Sequence, residues 1–141
     1  MIIFDNVSKG FNSGNLFENV SFNVNKGEKI GLIGRNGHGK TTLIKIITGE
    51  ENIDSGRISI PKNYNIGFLK QHISFTKNTA IDEAMLGLKD DESNDKWKAE
   101  KILSGLGFSK DDMLKSPLDF SGGYQVRLNL AKVLLSNPNM L

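Results

Sequence analysis

The sequence contains no cysteine, and no apolar run in it is long enough to cross a membrane. Without cysteine, neither a disulfide framework nor a thiolate metal site can form, and the composition suits a reducing interior. No segment approaches the roughly 20 consecutive apolar residues of a membrane-spanning helix. The first residues also lack the basic and long apolar regions of a secretory signal. We therefore predict a soluble, cytoplasmic protein.

The sequence also has only a small net charge and few histidines. The formal net charge is +2, which is too small to indicate a nucleic-acid partner by itself. His38 and His72 lie far apart in the sequence and form no metal-ligand pattern. Acidic residues do gather between positions 82 and 95, where we expect a solvent-facing surface or loop. These residues are Asp82, Glu83, Asp90, Asp91, Glu92 and Asp95.

The first half of the chain is rich in strand patterns. An apolar run at residues 2–4 and an alternation of apolar and polar residues over 20–24 each predict a strand. A third apolar segment, residues 29–33, is predicted to be a strand that runs directly into a glycine-rich loop. Two more strands are predicted at residues 57–60 and 66–69.

Helical periodicity follows the glycine-rich loop and dominates the second half. The spacing of apolar residues predicts a helix directly after the loop, with Gly49 as its C-terminal stop. A second helix is predicted to begin at the capping residue Thr79, and a third over residues 99–106, anchored by Trp97. Residues 124–135 carry apolar side chains on several sides, so this helix is expected to be mostly buried.

The segment at residues 34–41, GRNGHGKT, matches the phosphate-binding loop pattern of glycine, four residues and then Gly-Lys-Thr. Glycines let backbone N–H groups converge on phosphate oxygens, and the positive end of the following helix points at them. Lys40 supplies a flexible charge for the outer phosphates, and the Thr41 hydroxyl is the usual magnesium ligand. Thr42 is placed to touch the inner phosphate. An apolar segment before the loop and a helix after it provide the expected context.

A GTPase is the first family to test against this loop. A GTPase would carry an Asn-Lys-x-Asp motif that reads the base, and the sequence has none. Asp119 and Gly122 do match a loose Asp-x-x-Gly pattern, but two fixed residues carry little information. The segment around them has a better explanation.

Ser-Gly-Gly at residues 121–123, followed by a helix that leads to Asn-Pro at residues 137–138, resembles the ATP-binding cassette (ABC) ATPases. In that family Ser-Gly-Gly belongs to the signature motif. Gln71 lies where the family has its Q-loop glutamine, and Phe11 lies where it places an aromatic ring that stacks on adenine. The resemblance covers essentially the whole chain.

The variant of the signature motif narrows the subfamily. Tyr124 stands where transporter cassettes usually have glutamine, and Gln125 follows it. This order is similar to that of the F subfamily, whose members are soluble, carry two cassettes in one chain and in several cases act on ribosomes. Many members have a long helical arm in the first cassette, and only the short acidic stretch at residues 90–95 could take its place here.

The resemblance implies an α/β fold, a P-loop NTPase of ABC type with an N-terminal antiparallel β subdomain and a helical subdomain, truncated before the Walker B strand. The implied divisions are residues 1–71 (β-rich part and phosphate loop), 72–120 (helical part) and 121–141 (signature helix). The implied ligands are ATP and Mg²⁺. The resemblance implies that the nucleotide is surrounded by Phe11, Gly34, Asn36, Gly37, Gly39, Lys40, Thr41 and Thr42. Thr41 and Gln71 would bind the metal, Gln71 would also position the attacking water, and Lys40 and Gln71 would be catalytic. Ser121, Gly122 and Gly123 would face the γ-phosphate of an opposite cassette.

The residues that complete hydrolysis in this family do not occur in the sequence. The Walker B aspartate, the catalytic glutamate and the switch histidine would follow the Asn-Pro segment, and the chain ends at Leu141. We therefore expect a fragment that binds ATP weakly without turnover. Its partner would be a second cassette, either in the same chain of the intact protein or in a homodimer. The fragment itself is expected to be either marginally stable or paired with another copy, for which self-association or element exchange is the route. Two alternatives remain open: the ATP-binding subunit of a membrane transporter, and a non-catalytic nucleotide-binding scaffold.

Overall fold

The computed structural model describes residues 1–12, 14–70 and 72–141, and within it the chain forms two compact units, Met1–Tyr64 and Asn65–Leu141. The first unit contains a β-sheet, the phosphate loop and one helix. The second unit is mainly helical.

The sheet of the first unit has three antiparallel strands in the order β2-β1-β3. They are β1 (Ile2–Phe11), β2 (Gly14–Val24) and β3 (Ser55–Ser59). Phe4 of β1 is almost fully buried and stacks on Phe22 of β2, with ring centroids 4.2 Å apart. Such cross-strand aromatic pairs stabilise a sheet because the side chains pack directly opposite each other. The strands predicted at residues 2–4, 20–24 and 57–60 are confirmed, and the first two are parts of longer strands.

The strand predicted at residues 29–33 is wrong for this structure, since these residues form no regular element. Ile33 is 95% exposed, and Ile30 and Leu32 are about half exposed. An apolar segment becomes a strand only if a neighbouring strand accepts its backbone hydrogen bonds, and none of the described residues does so here. The strand predicted at residues 66–69 is likewise reduced to a single parallel bridge between Ile66 and Met140.

Helix α1 (Lys40–Thr48) follows the phosphate loop as predicted. Gly49 adopts a left-handed conformation, with φ of 79°, and its N–H bonds to the carbonyl oxygen of Ile46. Glycine is favoured at this position because a Cβ atom would be strained at positive φ. Ile46 and Ile47 are buried, so the predicted apolar stripe faces the interior of the first unit.

The described residues of the second unit form four helices and two short 3-10 turns. The helices are α2 (Ala80–Met85), α3 (Lys96–Gly105), α4 (Lys110–Met113) and α5 (Gly122–Leu135), and the turns are Asp90–Glu92 and Pro117–Asp119. The Thr79 hydroxyl accepts the N–H of Asp82, which confirms the predicted start of α2. The core of this unit consists of Ala80, Ile81, Ala84, Ala99, Leu103, Phe108, Met113, Leu128, Ala131 and Leu135.

Three expectations for the second unit are corrected by the structure. Trp97 is 58% exposed and does not anchor α3, because Ala99 and Leu103 face the core instead. Glu83 is fully buried, although the surrounding acidic residues suggested a solvated surface. Helix α5 is buried along one face only, and Val126 is 49% exposed.

Candidate nucleotide-binding site

The phosphate loop obtains its shape from glycines with left-handed backbone conformations. Gly37 has φ of 81° and Gly39 has φ of 86°, values that side-chain-bearing residues rarely adopt. Between them, the N–H of His38 bonds back to the carbonyl oxygen of Arg35 at 3.3 Å. The loop therefore turns tightly and delivers the chain into α1 at Gly39.

Lys40 folds back over this loop. Its ammonium group donates hydrogen bonds to the carbonyl oxygens of Gly34 and, at 2.8 Å, of Arg35. The stem of the same side chain lies beside Gly34, where an added Cβ would be 3.8 Å from Lys40 Cγ. The positive charge is thus held directly above the backbone of the loop, the position from which it can attract phosphate oxygens.

The N-terminus of α1 carries no competing negative charge. Its first turn contains no acidic residue, and no side chain caps it. The first N–H groups of a helix and the helix dipole together attract anions. Thr41 is exposed in this first turn and Thr42 is half-buried. Their hydroxyl groups therefore lie beside the same positive end of the helix.

The β1–β2 hairpin packs against the phosphate loop. A methyl group in place of the Gly39 hydrogen would lie 3.5 Å from Cδ1 of Phe17 and 3.6 Å from Leu16, both in β2. Phe11 ends β1 in the same hairpin, and its ring is 49% exposed. The first unit thus holds an exposed aromatic ring, a cation and a helix N-terminus.

The Ser-Gly-Gly segment begins α5 in the second unit. Ser121 occupies the N-cap position, but its side chain makes no capping hydrogen bond. Gly122 and Gly123 are exposed, and a Cβ added to either would meet no atom within 4 Å among the described residues. Neither glycine has a positive φ. The described part of the chain therefore gives no steric reason for glycine at these two positions.

The residues after the signature glycines hold the segment in place. The side chain of Gln125 donates hydrogen bonds to the carbonyl oxygens of Phe120 (3.1 Å) and Pro117 (3.4 Å). Tyr124 packs edge-on against Phe108, with ring centroids 5.1 Å apart, and the guanidinium carbon of Arg127 lies 4.9 Å from the centroid of the tyrosine ring. Tyr124 and Gln125 thus have structural roles that the sequence pattern did not reveal.

A second feature missed by sequence reasoning is a buried ion pair in the second unit. The Glu83 carboxylate accepts a hydrogen bond from the Lys132 ammonium and from the N–H groups of Thr76 and Lys77, both at 2.8 Å. Burial alone would raise the pKa of Glu83, but these donors hold it below its usual range. Glu83 therefore joins α5 to the segment that follows Gln71, which itself lies outside the described residues.

Two further points concern the described residues: clusters of metal-binding side chains and membrane helices. Across residues 1–12, 14–70 and 72–141, no group of three or more histidine, aspartate or glutamate side chains could hold a metal ion. In the same part of the chain, no helix is both long and apolar enough to cross a membrane.

Comparison with known families agrees with this geometry. The family model described as "ABC transporter" matches residues 17–141. The chain belongs to this family. The predicted resemblance to ABC ATPases is confirmed, and so is the predicted fold class, a P-loop NTPase of ABC type.

Curated relatives include members of the F family. The chain is 33% identical to ABC transporter F family member 2 of Arabidopsis thaliana, covering 97% of the chain and 27% of that protein. It is 35% identical to the ATP-binding protein Uup of Buchnera aphidicola, covering 100% of the chain and 24% of Uup. The chain thus spans about a quarter of the length of these relatives.

Solved structures share the fold at lower identity. A dimeric ATP-binding cassette in a post-hydrolysis state, bound to ADP and phosphate, has a TM-score of 0.76 and 23% identity. The match covers 98% of this chain and 71% of that cassette. This similarity supports the fold assignment.

Proposed function

We propose that this chain is the ATP-binding part of a soluble, cytoplasmic ABC ATPase of the F subfamily. The similarity to F family member 2 and Uup supports the subfamily. In the intact domain, ATP hydrolysis would drive the opening and closing of two cassettes. The resemblance to the F subfamily implies a ribosomal partner, which is therefore part of the proposal.

One observation carries the nucleotide site: the Lys40 ammonium is held over a glycine loop at the uncapped N-terminus of α1. A cation, converging N–H groups and a helix dipole are the groups that bind the oxygens of a triphosphate. Phe11 would stack on adenine, and Gly34, Asn36, Gly37 and Gly39 would surround the phosphates.

Magnesium fits the same site because the hydroxyl of Thr41 is exposed next to Lys40. Thr41 would hold the ion together with the phosphates and Gln71, and Thr42 would touch the inner phosphate. The bound ion would neutralise charge on the phosphate oxygens. Lys40 would contribute the second positive charge on the same side of the triphosphate.

The signature segment supports a second cassette as partner. Gly122 and Gly123 are exposed, and no steric demand among the described residues requires glycine there. Small residues at the start of α5 would let the γ-phosphate of a facing cassette approach its N–H groups. The Ser121 hydroxyl, which makes no capping bond, would be available to the same ligand.

The experiment is a calorimetric titration of the chain with Mg-ATP. Lys40→Ala removes charge-assisted hydrogen bonds to phosphate, so binding should weaken about tenfold or more. Lys45→Ala is the matched control, because Lys45 is an exposed lysine in the last turn of the same helix. Equal affinities of both variants and the unchanged chain would contradict the proposed site.

Hydrolysis is tested in the same samples by counting released phosphate. We propose that these 141 residues release none above background, since no apolar strand followed by an acidic pair occurs among them. Steady release that Lys40→Ala abolishes would contradict this part of the proposal and leave the binding site intact.

A membrane transporter subunit is the second candidate, favoured by the family description that matches residues 17–141. Two cassettes in the full-length gene product would support the F subfamily. Recovery of the full-length protein in a complex with a membrane protein would support the transporter. If the full-length protein is instead a non-catalytic scaffold, it would bind ATP and still release no phosphate.

A further inference from the structure

Lys9 occupies a position in β1 where the fold expects an apolar side chain. The buried residues of this strand are Ile2, Phe4, Val7 and Lys9, and only 7% of Lys9 is exposed. Burying a lysine charge is costly unless it is paired, and an apolar side chain at this position would avoid that cost. Stability alone therefore does not account for a lysine at this position.

Two carboxylates hold the Lys9 ammonium in place. Its Nζ atom lies 2.9 Å from Glu51 Oε1 and 3.1 Å from Asp54 Oδ1. These hydrogen bonds raise the pKa of Lys9 above its usual range, and the bond to Glu51 has the larger effect. The lysine is therefore charged at neutral pH, and its side chain is fixed at both carboxylates.

The same cluster fixes the backbone that leads to Phe11. Asp54 accepts the N–H of Gly10 at 2.8 Å through its second carboxylate oxygen. The pairing of β1 with β2 is irregular here, with register shifts on both sides of Lys9. Asp54 thus supplies a hydrogen bond to Gly10, the residue before Phe11, where the hydrogen-bond ladder between the strands is interrupted.

The charge also acts on the ring directly. The Lys9 ammonium lies 5.1 Å from the centroid of the Phe11 ring, within the range of a cation–π interaction. The ring remains 49% exposed, so it can contact a ligand while the cation holds it.

We propose that Lys9, fixed by Glu51 and Asp54, is a positioning residue that orients the Phe11 ring for stacking on the nucleotide base. This role rests on the proposed ATP site. The cation also draws electron density out of the ring, which reduces the repulsion between its π face and that of adenine. Lys9 therefore contributes to base recognition without touching the nucleotide.

The test separates binding of the base from binding of the phosphates. Dissociation constants are measured for Mg-ATP and for magnesium tripolyphosphate, which has no base. Lys9→Met should weaken ATP binding about three- to five-fold, the size of a cation–π contribution, and leave tripolyphosphate binding unchanged. Lys9→Arg keeps the charge and should bind ATP as the unchanged chain does. Lys26→Met, at an exposed lysine of the same unit, is the matched control.

A double-mutant cycle identifies the route of the effect. In a Phe11→Ala background, Lys9→Met should cause no further loss of ATP affinity, because its effect passes through the ring. Glu51→Gln weakens the hold on Lys9 but leaves Asp54 in place, so it should give a smaller loss in the same direction. It provides the same test if Lys9→Met does not fold, as judged by circular dichroism.

Three results would overturn the inference. Equal weakening of ATP and tripolyphosphate would mean that Lys9 only supports the fold. An undiminished effect in the Phe11→Ala background would mean that Lys9 acts by another route. Tight ATP binding that Phe11→Ala does not change would remove the role of the ring while leaving the Lys40 site intact. In contrast, failure of the unchanged chain to bind either ligand would refute the proposed function itself.

Discussion

Removing the Glu83 carboxylate is expected to destabilise the second unit strongly. The side chain is fully buried and accepts hydrogen bonds from Lys132, Thr76 and Lys77. Glu83→Ala would leave the ammonium and two N–H groups without their acceptor. Breaking a buried ion pair in this way costs about 3–5 kcal/mol. The lower end applies here, because Lys132 is 22% exposed and its ammonium can reach water.

An expected loss of about 3 kcal/mol is a large share of the roughly 5–15 kcal/mol that stabilises a typical domain. Glu83→Gln keeps the volume and one acceptor oxygen, so its loss should be about half as large. Combining Glu83→Gln with Lys132→Met removes both charges and should cost less than the sum of the single changes.

The assay is urea unfolding followed by far-ultraviolet circular dichroism. Glu100→Ala is the matched control, because Glu100 is an exposed glutamate in α3 and its loss should change the free energy of unfolding by less than about 0.5 kcal/mol. If Glu83→Ala and Glu100→Ala unfold at the same urea concentration, the buried pair does not stabilise the unit and the reasoning fails.

The pH dependence of the same transition gives an independent check. Because the pKa of Glu83 is lower in the folded state than its ordinary value of 4.5, the pair contributes fully above about pH 5.5. Its contribution is lost as the pH falls below about 4.5, because the carboxylate then becomes protonated in the unfolded state before it does so in the folded state. Glu83→Gln should therefore flatten the acid limb of the stability curve.

Three further predictions follow from individual positions. Gly39→Ala should destabilise the chain by about 1 kcal/mol in urea unfolding and weaken ATP binding, because its φ of 86° is strained for alanine. Neither Gly123→Ala nor its control Gly105→Ala should lower the stability in urea unfolding, since neither new methyl group meets an atom of the described residues within 4 Å and alanine reduces the entropy of the unfolded chain. Only Gly123→Ala should reduce ATP-dependent pairing of cassettes in the full-length protein, measured as compaction by small-angle X-ray scattering. Ile33→Lys should reduce self-association of the chain, measured by sedimentation, because Ile33 is 95% exposed in an unpaired apolar segment.

Features that depend on local chemistry were predictable from the sequence. Helix α1 lies between Gly39 and Gly49 as its spacing indicates, and α2 begins at the Thr79 cap. Helix signals of this kind reside within a few neighbouring residues. The segment at residues 29–33 was not predictable in the same way, because a strand depends on a partner elsewhere in the chain. The roles assigned to Phe11, Lys40 and Gln71 stay predictions until nucleotide binding is measured.

The two buried charges show a more specific limit of sequence reasoning. Lys9 meets Asp54 across 45 residues, and Glu83 meets Lys132 across 49 residues. The residues next to Lys9 and Glu83 in the sequence do not include these partners. The sequence therefore predicted a solvated Glu83, like the acidic residues around it. Each buried charge nevertheless supports a segment that carries a motif: Lys9 precedes Phe11, and Glu83 fixes α5, which Ser121 begins. A short motif determines which groups can touch a nucleotide, whereas long-range ion pairs determine where those groups point. Substitutions at Lys9 should therefore alter the Phe11 segment, and substitutions at Glu83 the Ser121 segment, while every motif residue remains in place.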